Sequence, residues 1–353
     1  MSLVTKPTVI FPEHEVSQDQ MVNVLKELFP YHPKWDTVER MIRNTQVDHR
    51  NLLSPIDQVI THPGFEYRNK LYKDHGLKMA SRVAKQVLDD NKMTPNDIDM
   101  LMVVSCTGFL MPSLTSYIIS DLGFRPNTKQ LPVAQLGCAA GAWALNRAYE
   151  YIKAYPDHNV LLLSVEFSSL LFQPEDSKIS SLISNCLFGD AVSGCIIKGA
   201  YEDGDEGYLI EGIDSFVKKD SDHYIKYDVK STGFHFGLDK EVMHSIKDVA
   251  PIMKGLIKDE CEKEINDLDF HLFHTGGRKI LDELVSNLDL VEENVSKSRQ
   301  SLKNHGNIAS GVVLDVLNKE FESKTRKNGD TGMMAAFGPG FTAEINHGTW
   351  IKN

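Results

Sequence analysis

The sequence predicts an α/β protein built on a mostly parallel sheet. Short apolar runs without polar alternation, of which residues 100–105 (MLMVVS) are the clearest, have the composition of strands buried on both faces. Longer amphipathic stretches separate these runs, and this alternation is typical of strand–helix–strand units. The 353 residues suffice for about two domains, or one large two-part domain, with a sizeable core.

Further runs complete the predicted element set. Strands are predicted over residues 159–168, 191–197 and 270–273, and helices over residues 78–90, 139–154, 248–264 and 307–321. The segment 199–207 (GAYEDGDEG) is acidic and glycine-rich, which is typical of a surface connection. We therefore expect an N-terminal half over residues 1–205 and a C-terminal half over residues 206–353.

Charge and hydropathy exclude several classes of protein. The 38 basic and 49 acidic residues give a formal net charge of −11, which argues against a general nucleic-acid binder but leaves room for a local basic pocket. No apolar stretch approaches the roughly 18 residues of a membrane span. The N-terminus also lacks the apolar run of a signal peptide. We expect a cytoplasmic protein.

The five cysteines do not indicate a disulfide framework or a zinc site. Their number is odd and no C-x-x-C spacing occurs, so a reducing compartment fits best. Cys186, Cys195 and Cys261 lie in apolar or helical runs and are predicted to be structural. Cys106 ends a strand and is given at most a pocket-lining role.

Cys138 has the setting of a nucleophile. A strand-like run ends at Leu136, Gly137 is predicted to make the turn, and a helix opens after the cysteine with Ala, Ala, Gly and Ala. Unpaired N–H groups and the helix dipole at such a position stabilise a thiolate. The small side chains leave room for an acyl group. The alternative, a small buried free cysteine, stays open on this motif alone.

A histidine and an asparagine could complete such a site. His274 ends a predicted strand, where α/β folds place chemistry, and strand alternation puts His271 on the opposite face. Asn307 precedes a predicted helix, so an N-cap is its alternative role. A thiolate would hold the growing chain as a thioester, while an imidazole and an amide N–H stabilise an enolate oxygen. This chemistry requires no metal and no redox cofactor.

Seven blocks along the chain resemble one known family. They are SCTGFLMPSL (105–114), QLGCAAGA (135–142), SVEFSS (164–169), LFGDAVSGC (187–195), FHTGG (273–277), HGNIAS (305–310) and AFGPG (336–340). In this order they resemble the type III polyketide synthases, the chalcone and stilbene synthase group of the thiolase superfamily. The resemblance covers residues 8–350.

The resemblance implies roles for individual residues. It implies that Cys138, His274 and Asn307 are catalytic. The substrate-binding residues that it implies are Cys106, Met111, Glu166, Leu171, Phe188, Phe236, Ala309, Gly338 and Pro339. Among them, Phe188 and Phe236 would be aromatic gatekeepers between a CoA tunnel and the cavity. Core packing is the alternative role for both. Phe234, two residues away on the same strand face, is an alternative to Phe236 as the second gatekeeper. Met111 would reach across a dimer interface into the partner's cavity.

This sequence departs from the pattern of the plant enzymes at several positions, so the product rules of the plant enzymes do not transfer to it. Ala336 stands where the plant enzymes have Gly, which is expected to narrow the pocket. Leu171 and Ala309 occupy positions that are often Thr and Ser. Of the basic residues at the CoA tunnel mouth, Arg40 matches. Arg278 and Lys279 are candidate replacements for the others as phosphate contacts, with an exposed helix start as the alternative.

Longer segments favour a bacterial subfamily. Residues 165–176, 223–251, 273–285 and 335–345 resemble phloroglucinol synthases, which use malonyl-CoA as starter and extender. The implied fold is thiolase-like: two similar α/β halves, each with a mixed five-stranded sheet, in a five-layer αβαβα arrangement. The implied assembly is a homodimer.

Three rivals remain from the sequence alone. An alkylpyrone or alkylresorcinol-type synthase of the same family would take fatty acyl-CoA starters, and an initiating ketoacyl carrier-protein synthase would share a Cys-His-Asn triad. A binding module on an inactive thiolase fold would predict a lost nucleophile, whereas Cys138 is present.

Overall fold

The computed structural model describes residues 1–61 and 63–352. Its strands are Ser2–Val4 (β1), Thr8–Ile10 (β2), His14–Ser17 (β3), His49–Leu52 (β4), Met100–Val104 (β5), Lys129–Val133 (β6), Asn159–Phe167 (β7), Asp190–Lys198 (β8), Glu206–Val217 (β9), Ile225–Lys230 (β10), Gly233–Leu238 (β11), Phe270–Phe273 (β12), Thr331–Gly338 (β13) and Thr342–Lys352 (β14). Its α-helices are Gln18–Leu28 (α1), Trp35–Arg43 (α2), Ile56–Val59 (α3), Phe65–Asp90 (α4), Leu114–Leu122 (α5), Ala140–Ala154 (α6), Ile179–Asn185 (α7), Ile246–Cys261 (α8), Arg278–Asn287 (α9), Ser296–His305 (α10) and Val312–Ser323 (α11).

One long mixed sheet runs through the described residues. Its strand order is β12-β13-β14-β9-β1-β8-β7-β5-β6, and β2 also pairs with β8. The pairs β12–β13, β5–β6 and β5–β7 are parallel, and the other pairs of this sheet are antiparallel, so the prediction of a mostly parallel sheet is wrong. Strands β10 and β11 form a separate hairpin.

The helices divide this sheet into a layered structure. Helices α6 and α11 pack together in the middle and bury one face of strands from both halves. Helices α4 and α5 cover the outer face of the N-terminal strands, and α8 and α9 cover the outer face of the C-terminal strands. The order is helix, sheet, helix, sheet, helix, so the predicted five-layer, thiolase-like arrangement is confirmed.

The strand composition follows from this layering. In β5, Met102 and Val104 contact the middle helices, whereas Leu101 and Val103 contact the outer layer. Both faces are therefore buried, which is why these strands are continuous apolar runs. The predicted strands over residues 100–105, 159–168, 191–197 and 270–273 are all present.

Two expectations about the elements are wrong. The halves do not contribute five strands each, because β1 pairs with both β8 and β9 and joins six N-terminal strands to four C-terminal ones within the described chain. Helix α4 begins at Phe65 rather than at residue 78. Its first turns bury Arg68, Tyr72 and Gly76, so they lack the aliphatic spacing that predicts a helix.

Several boundaries also differ by a few residues. Strand β6 ends at Val133, before the predicted Leu136. Residues 307–311 lie outside α11, and Ala309–Gly311 forms a 3₁₀ turn ahead of it. The division at residue 205 falls in the connection between β8 and β9, and it stays a prediction.

Candidate active site

Cys138 lies in a tight turn at the start of the middle-layer helix α6. The turn is the 3₁₀ segment Gly137–Ala139, and Gly137 has φ +48°, a left-handed conformation that favours glycine. A Cβ on Gly137 would lie 2.9 Å from Cδ of Pro339. The turn between β13 and β14 therefore packs directly against the cysteine turn.

Asn307 is held by the backbone next to Phe188. Its N–H donates to the carbonyl of Leu187 at 2.8 Å, and its own carbonyl accepts from the N–H of Gly189 at 3.1 Å. Its side-chain Oδ1 accepts from the N–H of Ala309 at 2.9 Å. Because a backbone N–H can only donate, this bond fixes which side-chain atom is oxygen and turns Nδ2 away from it. Asn307 is not the N-cap of α11, because that position is held by Gly311.

His274 directly follows β12 and faces Asn307. Its backbone N–H donates to the carbonyl of Ala335 at 2.9 Å, which continues the parallel pairing of β12 with β13. Its Nε2 lies 3.3 Å from Oδ1 of Asn307. His271 points elsewhere, with Nε2 2.9 Å from the carbonyl of Ile265, as strand alternation predicts.

The structure brings Cys138, His274 and Asn307 together. Nδ2 and Oδ1 of Asn307 lie 3.9 Å and 4.0 Å from Sγ of Cys138, so the amide contacts both the thiol and the imidazole. Within the described part of the chain no hydrogen bond joins His274 to Cys138. In this state His274 Nε2 is hydrogen-bonded to Oδ1 of Asn307 instead.

Both ionisable members of this group are neutral at neutral pH. Burial raises the pKa of the Cys138 thiol to about 12, and the charge of Glu166 adds to the rise. Burial lowers the pKa of His274 to about 4, although its hydrogen bond with Asn307 opposes this decrease. The sulfur opens on a cavity, but protein atoms surround it closely. Loss of solvation therefore outweighs the helix dipole, which by itself would favour the thiolate.

Glu166 lies next to the cavity and is hydrogen-bonded to residues around it. This fully buried carboxylate accepts from the N–H of Cys106 at 3.0 Å, from the hydroxyl of Thr107 at 3.2 Å and from the hydroxyl of Ser310. Burial raises the pKa of Glu166 to about 7, although these hydrogen bonds oppose the rise. Glu166 therefore acts on the cavity through Cys106 and does not line it.

The thiol of Cys138 opens into a cavity of about 330 Å³. Apolar and aromatic side chains dominate its wall, which is common for small-molecule sites. Five of the predicted substrate-binding residues line it: Cys106, Phe188, Phe236, Ala309 and Pro339. The rings of Phe188 and Phe236 meet edge to face, with centroids 5.2 Å apart. This contact favours Phe236 over Phe234 as the partner of Phe188.

Other predicted pocket residues lie outside this wall. Leu171 lines a smaller adjoining cavity of about 50 Å³ behind Phe188 and Phe236. A Cβ on Gly338 would lie 2.7 Å from Cβ of Ala139, so this glycine permits close packing. Met111 is 88% exposed on the loop after β5.

The expected narrowing of the pocket by Ala336 is wrong. Ala336 is fully buried among the middle-layer core residues. Its methyl group therefore fills the core and leaves the cavity wall unchanged.

Sequence reasoning missed Tyr227 as a cavity residue. Its hydroxyl lies 3.7 Å from Sγ of Cys106, and its ring is 5.8 Å from that of Phe236. Phe234 also lines the cavity and packs against Phe65, with centroids 5.4 Å apart. The alternation of Ile225, Tyr227 and Val229 along β10, all of which line the cavity, was the available signal.

The predicted CoA contacts are surface residues outside the wall. Arg40 is exposed on α2, and Lys279 is exposed at the start of α9. Arg278 begins α9 and pairs with Asp282 at 3.4 Å. Their roles stay predictions.

Metal-binding clusters and membrane-spanning helices are both absent from the described residues. Across residues 1–61 and 63–352, no three or more His, Cys, Asp or Glu side chains are arranged to hold a metal ion. Over the same residues, no helix has both the length and the apolar character needed to cross a membrane.

Comparison with family models assigns nearly the whole chain. The model for "Chalcone and stilbene synthases, N-terminal domain" matches residues 12–201, and the corresponding C-terminal model matches residues 209–347. Together they cover most of the 353 residues.

Similar proteins and structures agree with this assignment. The chain is 50% identical over 350 residues to a phloroglucinol synthase from Pseudomonas fluorescens, covering 99% of each chain. It is 43% identical over 352 residues to a 1,3,6,8-tetrahydroxynaphthalene synthase from Streptomyces griseus, covering 100% of this chain and 94% of the relative. The crystal structure of such a synthase from Streptomyces coelicolor, described as a bacterial type III polyketide synthase, superposes with a TM-score of 0.96 at 40% identity, covering 99% of this chain and 100% of that one. This chain therefore belongs to the chalcone and stilbene synthase family, and it is a type III polyketide synthase.

Proposed function

We propose that this synthase makes phloroglucinol from three molecules of malonyl-CoA. Cys138 carries the growing chain, and His274 and Asn307 assist each condensation. The observation that carries the proposal is the 50% identity to a phloroglucinol synthase over 99% of both chains. The overall reaction releases three CoA and three carbon dioxide molecules and needs no added cofactor.

Loading is a thioester exchange at Cys138. Because the resting thiol is protonated, its proton has to leave as the sulfur attacks the malonyl carbonyl. His274 is a base of suitable type, and its neutral imidazole has one unpartnered nitrogen, Nδ1, among the described atoms. We expect the link from His274 to Asn307 to loosen when substrate enters, since catalytic hydrogen bonds often tighten only in the substrate complex.

Extension depends on an enolate. Loss of carbon dioxide from malonyl-CoA leaves negative charge on the thioester oxygen, which N–H donors stabilise. Nδ2 of Asn307 lies 3.9 Å from Sγ of Cys138, and Oδ1 lies 4.0 Å from the same atom, so an amide N–H donor is available beside the bound thioester. Each enolate carbon attacks this thioester, a carbon–carbon bond forms, and the bond to the Cys138 sulfur breaks, so the extended chain is carried by CoA. Thioester exchange then returns the chain to Cys138 and releases the CoA. Two such rounds give a seven-carbon 3,5-diketo diacid thioester on the sulfur.

Ring closure releases the product. The terminal carboxylate of the seven-carbon chain leaves as carbon dioxide, and the resulting carbanion attacks the thioester carbonyl. The carbon–sulfur bond to Cys138 breaks, the thiol recovers its proton, and the six-carbon ring tautomerises to phloroglucinol.

The size of the cavity supports a short chain. Its volume of about 330 Å³ is at the lower end of the roughly 300–1,000 Å³ of small-molecule sites. Phe188, Phe236 and Tyr227 separate it from the adjoining space of about 50 Å³. A 1,3,6,8-tetrahydroxynaphthalene product would need an eleven-carbon diacid chain from five units. The similarity to synthases of that product makes it the second candidate.

Incubation with malonyl-CoA alone tests the proposal. Products are identified by mass spectrometry for the wild type, for Cys138→Ala and for Cys261→Ala, which removes a cysteine outside the cavity. We expect phloroglucinol from the wild type and Cys261→Ala and none from Cys138→Ala. Tetrahydroxynaphthalene would replace the product assignment with the second candidate. Pyrones that form only after a fatty acyl-CoA is added would discard both.

We also propose that the protein is a homodimer. Phe109 and Met111 are exposed apolar side chains on one loop, and β6 is an unpaired edge of the described sheet. Light scattering should give twice the chain mass for the wild type and a smaller mass for Met111→Glu. A monomeric wild type would contradict this assembly.

For CoA, we propose that Arg40, Arg278 and Lys279 contact its phosphates. Charge reversal to Glu at each position should raise KM for malonyl-CoA several-fold, because a charge-assisted hydrogen bond is lost. Malonyl-pantetheine, which lacks the nucleotide phosphates, is the matched control and should show no such change. An equal effect on both substrates would contradict phosphate binding.

A further inference from the structure

A second cysteine–histidine pair lies outside the active site. Cys261 is the last residue of α8, and its Sγ lies 3.3 Å from Nδ1 of His347 on β14. Nε2 of the same imidazole lies 2.7 Å from Oε2 of Glu260. The three side chains therefore form a linear relay of thiol, imidazole and carboxylate.

The local backbone is built around this relay. The pairing of β14 with β9 shifts register between His347 and Gly348, which is a bulge that re-aims a side chain. Opposite it, a Cβ on Gly212 would lie 2.2 Å from Nε2 of His347 and 2.1 Å from Oε2 of Glu260. Only glycine leaves room for the imidazole and the carboxylate to meet.

The relay is separate from the catalytic group. Glu344 and Asn346 on β14 bond to Asn146 on α6, the helix that Cys138 precedes. Strand alternation therefore turns His347 to the other face of the sheet, toward α8. His347 also lies five residues beyond Thr342, roughly 17 Å along the strand from the turn next to the catalytic cysteine.

The protonation of the relay suits base-assisted chemistry. The Glu260 carboxylate accepts a hydrogen bond from Nε2–H of His347. This leaves Nδ1 of His347 free to accept a hydrogen bond from the Cys261 thiol. Burial raises the pKa of Cys261, and the charges of Glu211 and Glu260 add to the rise against Lys263. The thiol is thus protonated at rest, and a neighbouring base is what makes it a nucleophile. The two imidazole nitrogens face different partners, so the group does not converge on a metal.

The surroundings of Cys261 determine which kind of electrophile its sulfur can attack. The C-terminal end of a helix presents carbonyl groups, and the N–H of Glu262 is bonded to the carbonyl of Lys258. The N–H that follows Cys261 in the chain is therefore already bonded and is not free to stabilise the oxyanion of an acyl-transfer intermediate. Exchange with a disulfide builds charge only on sulfur and needs none. The helix end and the acidic neighbours Glu211 and Glu260 favour cationic over anionic reagents.

We propose that Cys261 is a site of thiol–disulfide exchange with small cationic disulfides. His347 takes the thiol proton, and Glu260 holds the imidazole in the required tautomer. Sγ attacks one sulfur of the reagent, the reagent's sulfur–sulfur bond breaks, and a mixed disulfide forms on Cys261. The departing thiolate takes up the proton from His347, so one disulfide is consumed for each one formed.

The test uses the full-length protein with cystamine and, separately, with glutathione disulfide, which is anionic. Modification of each cysteine is followed by peptide mass mapping in the wild type, His347→Gln, Glu260→Gln and the surface control His223→Gln. We expect cystamine to modify Cys261 faster than glutathione disulfide does. The rate should fall at least about tenfold in His347→Gln, less in Glu260→Gln, and not at all in the control.

Two results would overturn the proposal. One is an unchanged rate at Cys261 in both relay variants. The other is faster reaction with glutathione disulfide than with cystamine. Circular dichroism and polyketide formation check that each variant is folded. If His347→Gln fails to fold, Glu260→Gln still decides, because the Glu260 side chain is about half exposed.

Discussion

The amide of Asn307 contacts both Cys138 and His274: Nδ2 and Oδ1 lie 3.9 Å and 4.0 Å from the sulfur, and Oδ1 lies 3.3 Å from Nε2 of the imidazole. The catalytic group is therefore joined through Asn307 at rest, and no preformed thiolate–imidazolium pair is present. With the pKa of Cys138 raised to about 12 and that of His274 lowered to about 4, the resting site carries no charge on either residue.

This arrangement predicts how alkylation of Cys138 depends on pH. Because only the thiolate reacts, the rate with iodoacetamide should rise about tenfold per pH unit and continue to rise above pH 9. Peptide mapping after timed quenching measures the rate at Cys138, and free glutathione gives the reference curve. A rate that levels off below about pH 7 would indicate an ion pair and contradict the neutral resting state.

Gly137 is predicted to hold the position of the catalytic sulfur. Gly137→Ala places a left-handed conformation on alanine, at a cost of about 1–2 kcal/mol, and puts a Cβ 2.9 Å from Pro339. We expect at least a tenfold loss of kcat/KM, since small displacements of a reacting group are costly. Gly123→Ala is the matched control, with φ +70° and open space around the added Cβ. It should lower the free energy of unfolding with little effect on activity, and equal losses of activity would contradict the account.

Phe236 and Phe234 are predicted to differ in their effect on catalysis. Phe236→Leu removes the edge-to-face contact with Phe188, which is worth about 0.5–1.5 kcal/mol, and should raise KM for malonyl-CoA several-fold. Phe234→Leu, on the same strand face, loses contacts with Phe65 and Tyr227 instead and should change KM less. Steady-state kinetics of both variants distinguish them, and a larger effect at Phe234 would reverse the gatekeeper assignment.

Glu166 is predicted to make stability depend on pH. Burial raises the pKa of this carboxyl to about 7, so the unfolded chain ionises it first as the pH rises from about 4.5. The wild type should lose up to about 3 kcal/mol relative to Glu166→Gln between pH 5 and pH 8. Urea unfolding of both proteins at the two pH values gives this difference. A stability gap that does not change with pH would show that Glu166 is ionised throughout.

Much of the fold was predictable because burial leaves a signature in composition. Strands buried on both faces, such as β5 and β7, are continuous apolar runs, and Gly137 with the small residues after Cys138 marked the catalytic turn. The start of α4 was hidden because its buried face includes Arg68, whose guanidinium bonds to backbone carbonyls that are distant in sequence.

The sequence predicted which residues form the candidate site, but not how they are hydrogen-bonded or protonated. The family blocks located Cys138, His274 and Asn307, but the order in which they bond depends on distances of a few tenths of an ångström. Tyr227 was missed because a tyrosine in an alternating strand is equally typical of an exposed hairpin. The perturbed pKa values arise from packing of all layers around the cavity, which no local motif encodes.

Trapping the acyl intermediate tests directly whether Cys138 carries the growing polyketide chain. The protein is mixed with malonyl-CoA, quenched in acid after short times, digested and examined by mass spectrometry of the peptide that contains Cys138. We expect a malonyl-derived thioester on Cys138 that grows by two extensions to the seven-carbon chain and no further. Product formation without any adduct on Cys138, or an adduct on another residue that decays at the rate of turnover, would contradict it.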